Sequence, residues 1–459
     1  MEIELKAVPQ QESPRTESPQ RRPSTEREPS PEDGLEAANE REASSLPPVD
    51  GGKHAWLFLA ACFTIECFVW GFPFAFGVFQ NYYSTHEPFA GSRNIPVIGT
   101  CAMGVMYLDN ALVIATLRLF PRQARWMTLV GLFVMCIALA LSSLSSTVPH
   151  LIATQGILYG VGGSVGYCPC IIYMDEWFVR RKGLAYGIMW SATGFGGVLI
   201  PIVLEHLLDT YGFRTALRIW AGVIFAVSAP LSYFIKPRLP IVSTIHSRRP
   251  NLRFLLSHPF WLHLLANMVE ACGFFLPNIY LPSYAQSHLG ASSFLSALTL
   301  ILVNVASVFG CIAMGSLIDR LDVVSCILVS TAGATVGVLV LWGLASSLPV
   351  LYVFCIVYGL FAGSFTSTWP GIMKQVVAAE ERRNRAADPT MIFGCLAAGR
   401  GFGNVLSGPL SEALVSGLPW KGRGTSGYAS GHGPLIVFTG VTALLGGVSA
   451  VWKQFGWLD

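Results

Sequence analysis

The stretch from Ala55 to Phe79 reads AWLFLAACFTIECFVWGFPFAFGVF, and it decides the class of fold. Glu66 is the one charged residue in it. A helix needs about 20 predominantly apolar residues to cross the hydrocarbon core of a bilayer. The stretch is therefore long and apolar enough to predict a membrane-spanning helix.

Eleven further stretches of this kind follow, so the sequence predicts an all-α membrane protein with twelve transmembrane helices. The joints between them carry prolines, glycines or charges, as at Pro121 and at Asp319–Arg320. The predicted spans cover residues 55–79, 97–119, 126–146, 150–173, 184–205, 214–235, 259–284, 292–317, 323–345, 349–373, 389–414 and 434–456.

The composition of the whole chain agrees with lipid as its main solvent. Of the 459 residues, 52% are hydrophobic and 12% are charged, whereas a soluble domain carries about 25% charged residues. The mean hydropathy is +0.52. The net charge of +3 is small and no basic face with interleaved aromatic residues is visible, so we expect no nucleic-acid partner.

The first and seventh predicted spans share a pattern that indicates an internal repeat. Glu66 precedes Pro73 by seven residues, and Glu270 precedes Pro277 by the same interval. The offset between these two pairs is 204 residues. A preserved order of such pairs along the chain would make the two halves structural repeats of each other.

Two glycine-rich segments recur with nearly the same offset. YGVGGS at 159–164 resembles YGLFAGS at 358–364, and GFGGVL at 194–199 resembles GFGNVL at 401–406. Their offsets are 199 and 207 residues. The sequence therefore predicts two parallel six-helix repeats, which is the layout of the major facilitator transporters, whose halves rock around a central site.

A long polar break near mid-chain separates six spans from six. We divide the chain into a disordered cytosolic tail (1–53), an N-terminal six-helix bundle (54–235), a central cytosolic loop (236–258) and a C-terminal six-helix bundle (259–459). The tail is rich in Pro, Ser and Glu and buries too little apolar surface to fold. It also lacks the apolar core of a secretory signal.

The basic residues of the short loops predict the orientation, because cytoplasmic loops carry an excess of Lys and Arg. With the N-terminus inside, the outer loops hold four: Arg93, Arg214, Lys421 and Arg423. The inner loops hold sixteen: Arg118, Arg122, Arg125, Arg180, Arg181, Lys182, Lys236, Arg238, Arg248, Arg249, Arg253, Arg320, Lys374, Arg382, Arg383 and Arg385. We therefore expect both termini in the cytosol.

The eleven cysteines suggest neither a metal site nor a disulfide framework. Most fall inside apolar stretches, and no pair has CxxC spacing; Cys168 and Cys170 are one residue too close. In such surroundings a cysteine behaves as a small apolar side chain. We expect no metal and no cofactor.

Local motifs resemble those of one transporter family. Asp50-Gly51-Gly52 with Ala55-Trp56 resembles the start of the first span in monocarboxylate-porter-like facilitators. WFVRRKGLAYG at 177–187, running into SATG at 191–194, is similar to the second signature of that family. GSLIDR at 315–320 is similar to the inner-loop gating motif of facilitators in general.

Two further stretches, at 276–285 and at 400–409, resemble the fungal branch of this family. The resemblance covers roughly residues 50–457. It implies the major facilitator fold and secondary transport of a small solute.

The chain departs from the family members that carry lactate-like acids with a proton. Those members have a Lys after Phe-Pro in the first span, where this chain has Phe74, and an Arg in the eighth span, where we read Cys311. A Lys and an Arg would hold a carboxylate through charge-assisted hydrogen bonds. Both positions are uncharged here, which favours a larger, more apolar metabolite over a small monocarboxylate.

Ionisable residues inside the spans are functional candidates, because a charge at the bilayer centre costs about 2.5–3.5 kcal/mol on insertion scales. Glu66 and Glu270 are repeat mates, and the resemblance implies that their helices line the cavity. Either could take up a proton and couple it to solute movement. The alternative is a hydrogen bond to a neighbouring helix, with Arg218 or Arg400 as partner.

Other polar and aromatic positions are candidates for substrate contact. Arg400 and Asn404 share a helix face because they are four residues apart, and a buried Arg must meet a carboxylate, a substrate anion or helix carbonyls. Asn304 and Cys311 share a face of the eighth span, where Asn304 either meets substrate or holds two helices together. The aromatic candidates, which could equally pack or face lipid, are Phe74, Tyr159, Tyr358 and Trp369.

The resemblance also implies a cytosolic gate. A charge pair in the loop after the eighth span could hold the two halves closed until they rock. The basic cluster before the fifth span either joins this network or is a plain orientation signal. The gate candidates are Gly315, Asp319, Arg320, Arg180, Arg181 and Lys182.

We therefore expect a secondary active transporter that moves a small organic solute, an organic acid or a more apolar metabolite, by alternating access. Protons are the expected coupling ion, the lipid bilayer is the surrounding partner, and a monomer is the expected state. The plasma membrane is the expected location, with a vacuolar or other internal membrane as the alternative. Import and export, or symport and antiport, are not distinguished by the sequence.

Two other classes of function fit the sequence less well. A non-transporting membrane sensor built on the transporter fold would signal through a tail, but this tail is short and contains no recognisable domain. A membrane-embedded enzyme would need clustered catalytic residues, and the nine histidines are dispersed. No GxxxxGK[S/T] loop occurs, so ATP-driven transport by this chain is not expected.

Overall fold

A computed structural model describes residues 46–92, 94–239, 251–422 and 426–458. Within these ranges the secondary structure is helical and contains no strand. Most of the predicted tail and part of the predicted central loop lie outside the described residues.

Ten helices in the described part of the chain are long and apolar enough to cross a membrane. One of them, Lys182–Phe234, has 53 residues. The other nine are Gly52–Thr85 (α1), Ile95–Leu119 (α2), Pro121–Ser142 (α3), Val148–Trp177 (α4), His258–Leu289 (α7), Ser293–Ile318 (α8), Val323–Trp342 (α9), Leu348–Glu381 (α10) and Gly433–Gln454 (α12).

Two details bring the number of crossings to the predicted twelve. Gly212 has φ 70° and ψ 167°, which no helix accommodates, so it divides the 53-residue helix into α5 (182–211) and α6 (213–234). Pro389–Val415 (α11) has 27 residues, and its glycines and serines together with Arg400 and Asn404 lower its hydropathy. The prediction of twelve transmembrane helices in two six-helix repeats is confirmed.

The repeat is visible in matching interruptions of α1 and α7. The first helix is broken at Ala75 after Pro73, and the seventh is broken at Phe275 just before Pro277. Pro73 lies in the last turn before the first break, and Pro277 lies in the first turn after the second, where its missing N–H costs no helical hydrogen bond. The breaks lie close to the level of the cavity described below, since Phe74 and Phe274 contribute to its lining.

The two halves meet along α5 with α8 and along α2 with α11. Glycines allow backbone-to-backbone approach at these contacts. A Cβ on Gly187 would lie 3.0 Å from Cα of Gly315, and a Cβ on Gly394 would lie 2.9 Å from Cα of Ala111. Side chains at these glycines would therefore hold the halves apart.

Several predicted ends differ from the structure, and two of them show the physical reasons. α3 begins at Pro121 rather than near residue 126, because a proline in the first turn loses no helical hydrogen bond. α10 continues to Glu381, past the predicted end at 373. Its last part, Trp369–Glu381, buries an apolar face, so tertiary packing extends it beyond the hydropathic span.

Candidate functional site

A cavity lies where the two halves meet. It holds about 550 Å³ of empty space, a volume that includes space open to solvent. Seven helices, four from the first half and three from the second, supply its lining: Glu66, Trp70, Phe74, Tyr107, Asn110, Tyr167, Trp190, Thr193, Phe274, Gly363, Thr366, Trp369, Phe393, Ala397 and Arg400.

Arg400 and Glu270 form a buried ion pair on the second-half side of this cavity. Nη1 of Arg400 lies 2.7 Å from Oε2 of Glu270, and the two side chains are 1% and 6% exposed. The guanidinium carbon also lies 4.3 Å from the ring centre of Phe274. Of the two arginines considered as partners for the glutamates, Arg400 is the one that meets Glu270, whereas Arg218 donates to Ser143 at 2.9 Å.

Glu66, the repeat mate, has different surroundings. It is buried on the first-half side of the cavity, and its Oε2 has no hydrogen-bond partner among the described residues. Its carboxyl adjoins the Tyr167 hydroxyl, which in turn accepts a 2.8 Å hydrogen bond from Nε1 of Trp190. The two glutamates therefore differ: one is held by a cation, and the other adjoins neutral hydroxyl and indole groups.

An aromatic cluster from both halves forms part of the cavity wall. Trp190 of α5 stacks on Phe393 of α11, with ring centres 6.2 Å apart and planes at 11°. Trp369 of α10 meets Trp190 edge-on at 6.0 Å and Phe393 at 5.5 Å. Because these rings belong to different halves, rocking of the halves would separate them.

A side chamber adjoins the main cavity and shares Phe74, Thr193, Phe274 and Gly363 with it. It holds about 420 Å³ of empty space, including any part open to solvent. Two further candidates from the sequence, Asn304 and Tyr358, are among the residues that line it.

The structure thus brings several predicted residues together. Glu66, Phe74, Trp369 and Arg400 line the main cavity. Glu270 lines a smaller pocket behind Arg400. Asn304 and Cys311, predicted to share a face of α8, have different surroundings. Asn304 lines the side chamber, and its side-chain nitrogen lies 3.4 Å from the Gly197 carbonyl oxygen, whereas Cys311 lines neither space.

Besides Glu270, three predicted candidates lie outside both linings. The Tyr159 hydroxyl donates to the carbonyls of Phe68 and Val69 inside the first half, at 3.1 and 3.2 Å. The Cys311 thiol faces the Gly363 carbonyl at 3.3 Å. Asn404 is buried on α11 without contributing to the cavity wall.

The residues predicted to form the gate meet through a carboxylate that binds backbone amides. Asp319, just after α8, accepts hydrogen bonds from the N–H groups of Gly183 and Leu184 at 2.7 and 2.9 Å. These amides belong to the first turn of α5, where unsatisfied N–H groups favour an anion. Gly315 packs against the same turn, while Arg320 is exposed and has no ion-pair partner in the described residues.

The basic cluster before α5 contributes mainly through its backbone. Asp50 accepts hydrogen bonds from the N–H groups of Val179, Arg180 and Arg181 at 2.9, 3.0 and 2.8 Å. Burial alone would raise the pKa of Asp50, but the three amides and the Arg181 charge bring this pKa below its usual value. Lys182 pairs with Asp175 at 2.7 Å.

The contacts of Asp50 join the two signature stretches, which are far apart in the sequence. Trp56 also meets Phe178 edge-on, with ring centres 6.0 Å apart, and Phe58 stacks on Trp177 at 5.7 Å. The sequence showed both stretches as separate motifs, and their contact was not foreseen.

The sequence also did not reveal a second contact between the halves at the same end, in which the first half supplies a positive side chain. Arg118 at the end of α2 forms a buried ion pair with Asp388 and donates to the Thr390 hydroxyl at 3.1 Å. Asp388 caps α11 by accepting from the Thr390 amide at 3.1 Å. Each half therefore places one charged side chain against the first turn of a helix in the other half.

The described residues contain no group of three or more His, Cys, Asp or Glu side chains placed to hold a metal ion. Each of the eleven cysteines is a free thiol in the structure. The chemistry available at the cavity is therefore that of hydrogen bonding, charge and aromatic contact.

Comparisons with known proteins agree with this architecture. The family model described as Major Facilitator Superfamily matches residues 118–387. The agnestins efflux protein of Paecilomyces divaricatus is 30% identical over 428 residues, which cover 90% of each chain. The aspyridones efflux protein of Emericella nidulans is 27% identical, over 88% of this chain and 79% of that protein.

A solved structure shares the fold. The human organic anion transporter MFSD10 (TETRAN) superposes with a TM-score of 0.63 and 16% sequence identity, covering 88% of this chain and 98% of that one. This likeness concerns the arrangement of the helices alone.

Proposed function

Because this chain belongs to the Major Facilitator Superfamily, we propose that it is a proton-coupled exporter of a small organic solute. It is a multi-pass membrane transporter and not an enzyme. The proposed cycle exposes the cavity between the halves to one side of the membrane and then to the other. The observation that carries this proposal is the cavity itself, since its wall combines side chains of both halves with the unpaired carboxyl oxygen of Glu66.

The state of the gate supports alternating access. At the end with the basic loops, Asp319 joins α8 to α5, and Arg118 joins α2 to Asp388 at the start of α11. We propose that this end is cytosolic and that these contacts break when the cavity opens inward. The glycine contacts of Gly187 with Gly315 would then separate as the halves rock.

Glu66 is our first choice for the coupling residue. Its carboxyl would bind and release a proton as its surroundings alternate between a closed, largely aromatic wall and an open, wet cavity. Glu270 is bound to Arg400, so a change in its charge would first disrupt an ion pair. We assign Glu66 the proton and Glu270 the role of holding Arg400.

Several finer assignments complete the proposal. Two relatives are named efflux proteins, which favours export as the direction. The contact between the two signature stretches through Asp50 is in keeping with membership of the monocarboxylate-porter-like branch. We propose the plasma membrane as the location, both termini in the cytosol, a monomer, and bundles at 54–235 and 259–459.

Reconstitution of the full chain in proteoliposomes tests this proposal. A panel of organic acids and aromatic metabolites is supplied, and a trapped pH dye reports solute-driven proton movement. We expect the wild type to couple solute movement to proton movement. Glu66→Gln should lose the proton movement but continue to exchange solute when no pH gradient is present. Glu205→Gln, an exposed glutamate on α5, is the matched control.

Two results would contradict the proposal. Coupled flux that survives Glu66→Gln would make this glutamate structural. A wild type that moves none of the panel compounds, with or without a gradient, would favour the sensor alternative. Inverted plasma-membrane vesicles show the direction, since an exporter accumulates its solute inside them.

A further inference from the structure

Several polar atoms on the wall of the main cavity have no hydrogen-bond partner among the described residues. The donors are Nε1 of Trp70, Nε1 of Trp369, and Nε and Nη2 of Arg400. The acceptor is Oε2 of Glu66. Folded proteins pair roughly 90% or more of their buried polar groups, so a concentration of unpaired ones on one wall points to a bound partner.

The guanidinium is the strongest of these signals. Two tryptophans away from the cavity, Trp220 and Trp342, also have unpaired indole nitrogens, so an indole alone does not single out a site. A buried guanidinium is different, because it has five donors and always carries its charge. Arg400 is 1% exposed, and its hydrogen bond to Glu270 uses Nη1.

The geometry of that hydrogen bond leaves a particular edge of the side chain free. Glu270 occupies Nη1, so Nε and Nη2 remain, and these two N–H groups point side by side in the planar fork. Such an edge matches two oxygens of a carboxylate, or an enolate or phenolate with a neighbouring carbonyl. The Tyr107 hydroxyl is the other polar group that interacts with this guanidinium.

The rest of the cavity wall determines which kind of molecule can carry that anionic oxygen. Trp70 and Tyr107 lie with ring centres 4.5 Å apart, and Trp190 and Phe393 are nearly parallel. Flat apolar faces of this kind favour aromatic rings through offset or edge contacts. A sugar would instead need many polar partners, and a cation would meet the positive charge of Arg400.

We propose that the transported solute is a planar aromatic compound with an anionic oxygen, which binds the Nε–Nη2 edge of Arg400 while its rings lie against Trp70, Tyr107 and Trp190. This inference rests on the proposed function for its claim that the bound compound is transported.

Binding to the purified full chain in lipid nanodiscs tests the inference. The probes are anthracenecarboxylate, its neutral carboxamide, and adamantanecarboxylate, an acid without aromatic rings. Arg400→Lys keeps a positive charge beside Glu270 but loses the fork, and we expect it to weaken binding of the anthracene acid about 10- to 100-fold. Binding of the carboxamide should change far less.

Two further variants distinguish a loss of binding from misfolding. The double variant Arg400→Gln with Glu270→Gln removes both charges, so it leaves no lone buried charge, and it should lose the preference for the acid over the carboxamide. Arg218→Lys, at an arginine bonded to Ser143 away from the cavity, should bind like the wild type. Thermal unfolding verifies that each variant is folded.

The remaining outcomes overturn either the inference or the proposed function. Equal affinity of the wild type for acid and carboxamide would exclude the anionic oxygen, and equal affinity for the adamantane and anthracene acids would exclude the aromatic selection. Coupled flux of another solute without binding of the anthracene acid would overturn this inference and leave the proposed export standing. Binding of the anthracene acid without flux of any solute would overturn the proposed export and leave the inferred binding mode standing.

Discussion

The contact of Asp319 with α5 allows the energy of the closed gate to be tested directly. Its carboxylate accepts two hydrogen bonds, 2.7 Å from the Gly183 amide and 2.9 Å from the Leu184 amide. Asp319→Asn keeps one acceptor oxygen but replaces the other with an NH₂ group. That group would face an N–H donor, so one hydrogen bond is lost and the other becomes neutral.

The size of the effect follows from these two bonds. Hydrogen bonds to charged groups contribute about 1.5–3 kcal/mol each, and neutral ones about 0.5–1.5 kcal/mol. Asp319 is at an exposed position, where solvent screens charge, so we take about 1–2 kcal/mol as the net loss. This corresponds to a shift of about 5- to 30-fold from the closed toward the open gate.

Hydrogen exchange measured by mass spectrometry reads this equilibrium at the amides concerned. Opening of the gate exposes the Gly183 and Leu184 amides, so a peptide covering them should exchange about 5- to 30-fold faster in Asp319→Asn. The matched control is Asp322→Asn, because Asp322 caps the start of α9 and pairs with Lys453 instead.

Two results would refute the reasoning about the gate. Exchange at Gly183 and Leu184 that is unchanged in Asp319→Asn would mean that the carboxylate does not hold the halves together. An equal acceleration in Asp322→Asn would mean that any lost charge near this end loosens the protein. In either case the closed end would depend on packing alone.

Two other predictions concern the contacts between the halves. Gly187→Leu should abolish transport without preventing expression, because its Cβ would lie 3.0 Å from Cα of Gly315; Gly222→Leu, where nothing lies within 4 Å, should transport normally in the proteoliposome assay. Arg118→Leu should lower the unfolding free energy by about 3–5 kcal/mol, since it leaves the buried Asp388 carboxylate uncompensated. Adding Asp388→Leu should recover part of that loss in thermal unfolding, and a double variant no more stable than the single one would contradict the pairing.

The crossings could be predicted because each depends on local composition. The stretch 55–79 is apolar over its whole length, and any such stretch partitions into lipid whatever surrounds it. Hydropathy and length alone identify ten spans, and the two that they miss have local causes. Gly212 separates α5 from α6 by a single residue, and Arg400 and Asn404 make α11 less apolar than its neighbours.

The candidate site was predictable in part. Glu66 and Arg400 could be singled out because a charged residue inside a lipid-spanning helix is costly wherever it faces. The aromatic lining was less accessible, since Trp70 and Trp190 occur among many aromatic residues that contact lipid or pack internally. Nothing local distinguishes those that face a cavity.

The sequence by itself determined the number of helices, their duplication and the residues too polar to face lipid, because hydropathy and repeat spacing are properties of consecutive residues. Only the tertiary structure decided the partners: Glu270 with Arg400, Asp319 with the first turn of α5, and Arg118 with Asp388. Each partner lies more than a hundred residues away, and which polar groups stay unpaired depends on how whole helices pack. That is why the free edge of Arg400, which carries the inference about the solute, could be recognised only after the helices were assembled.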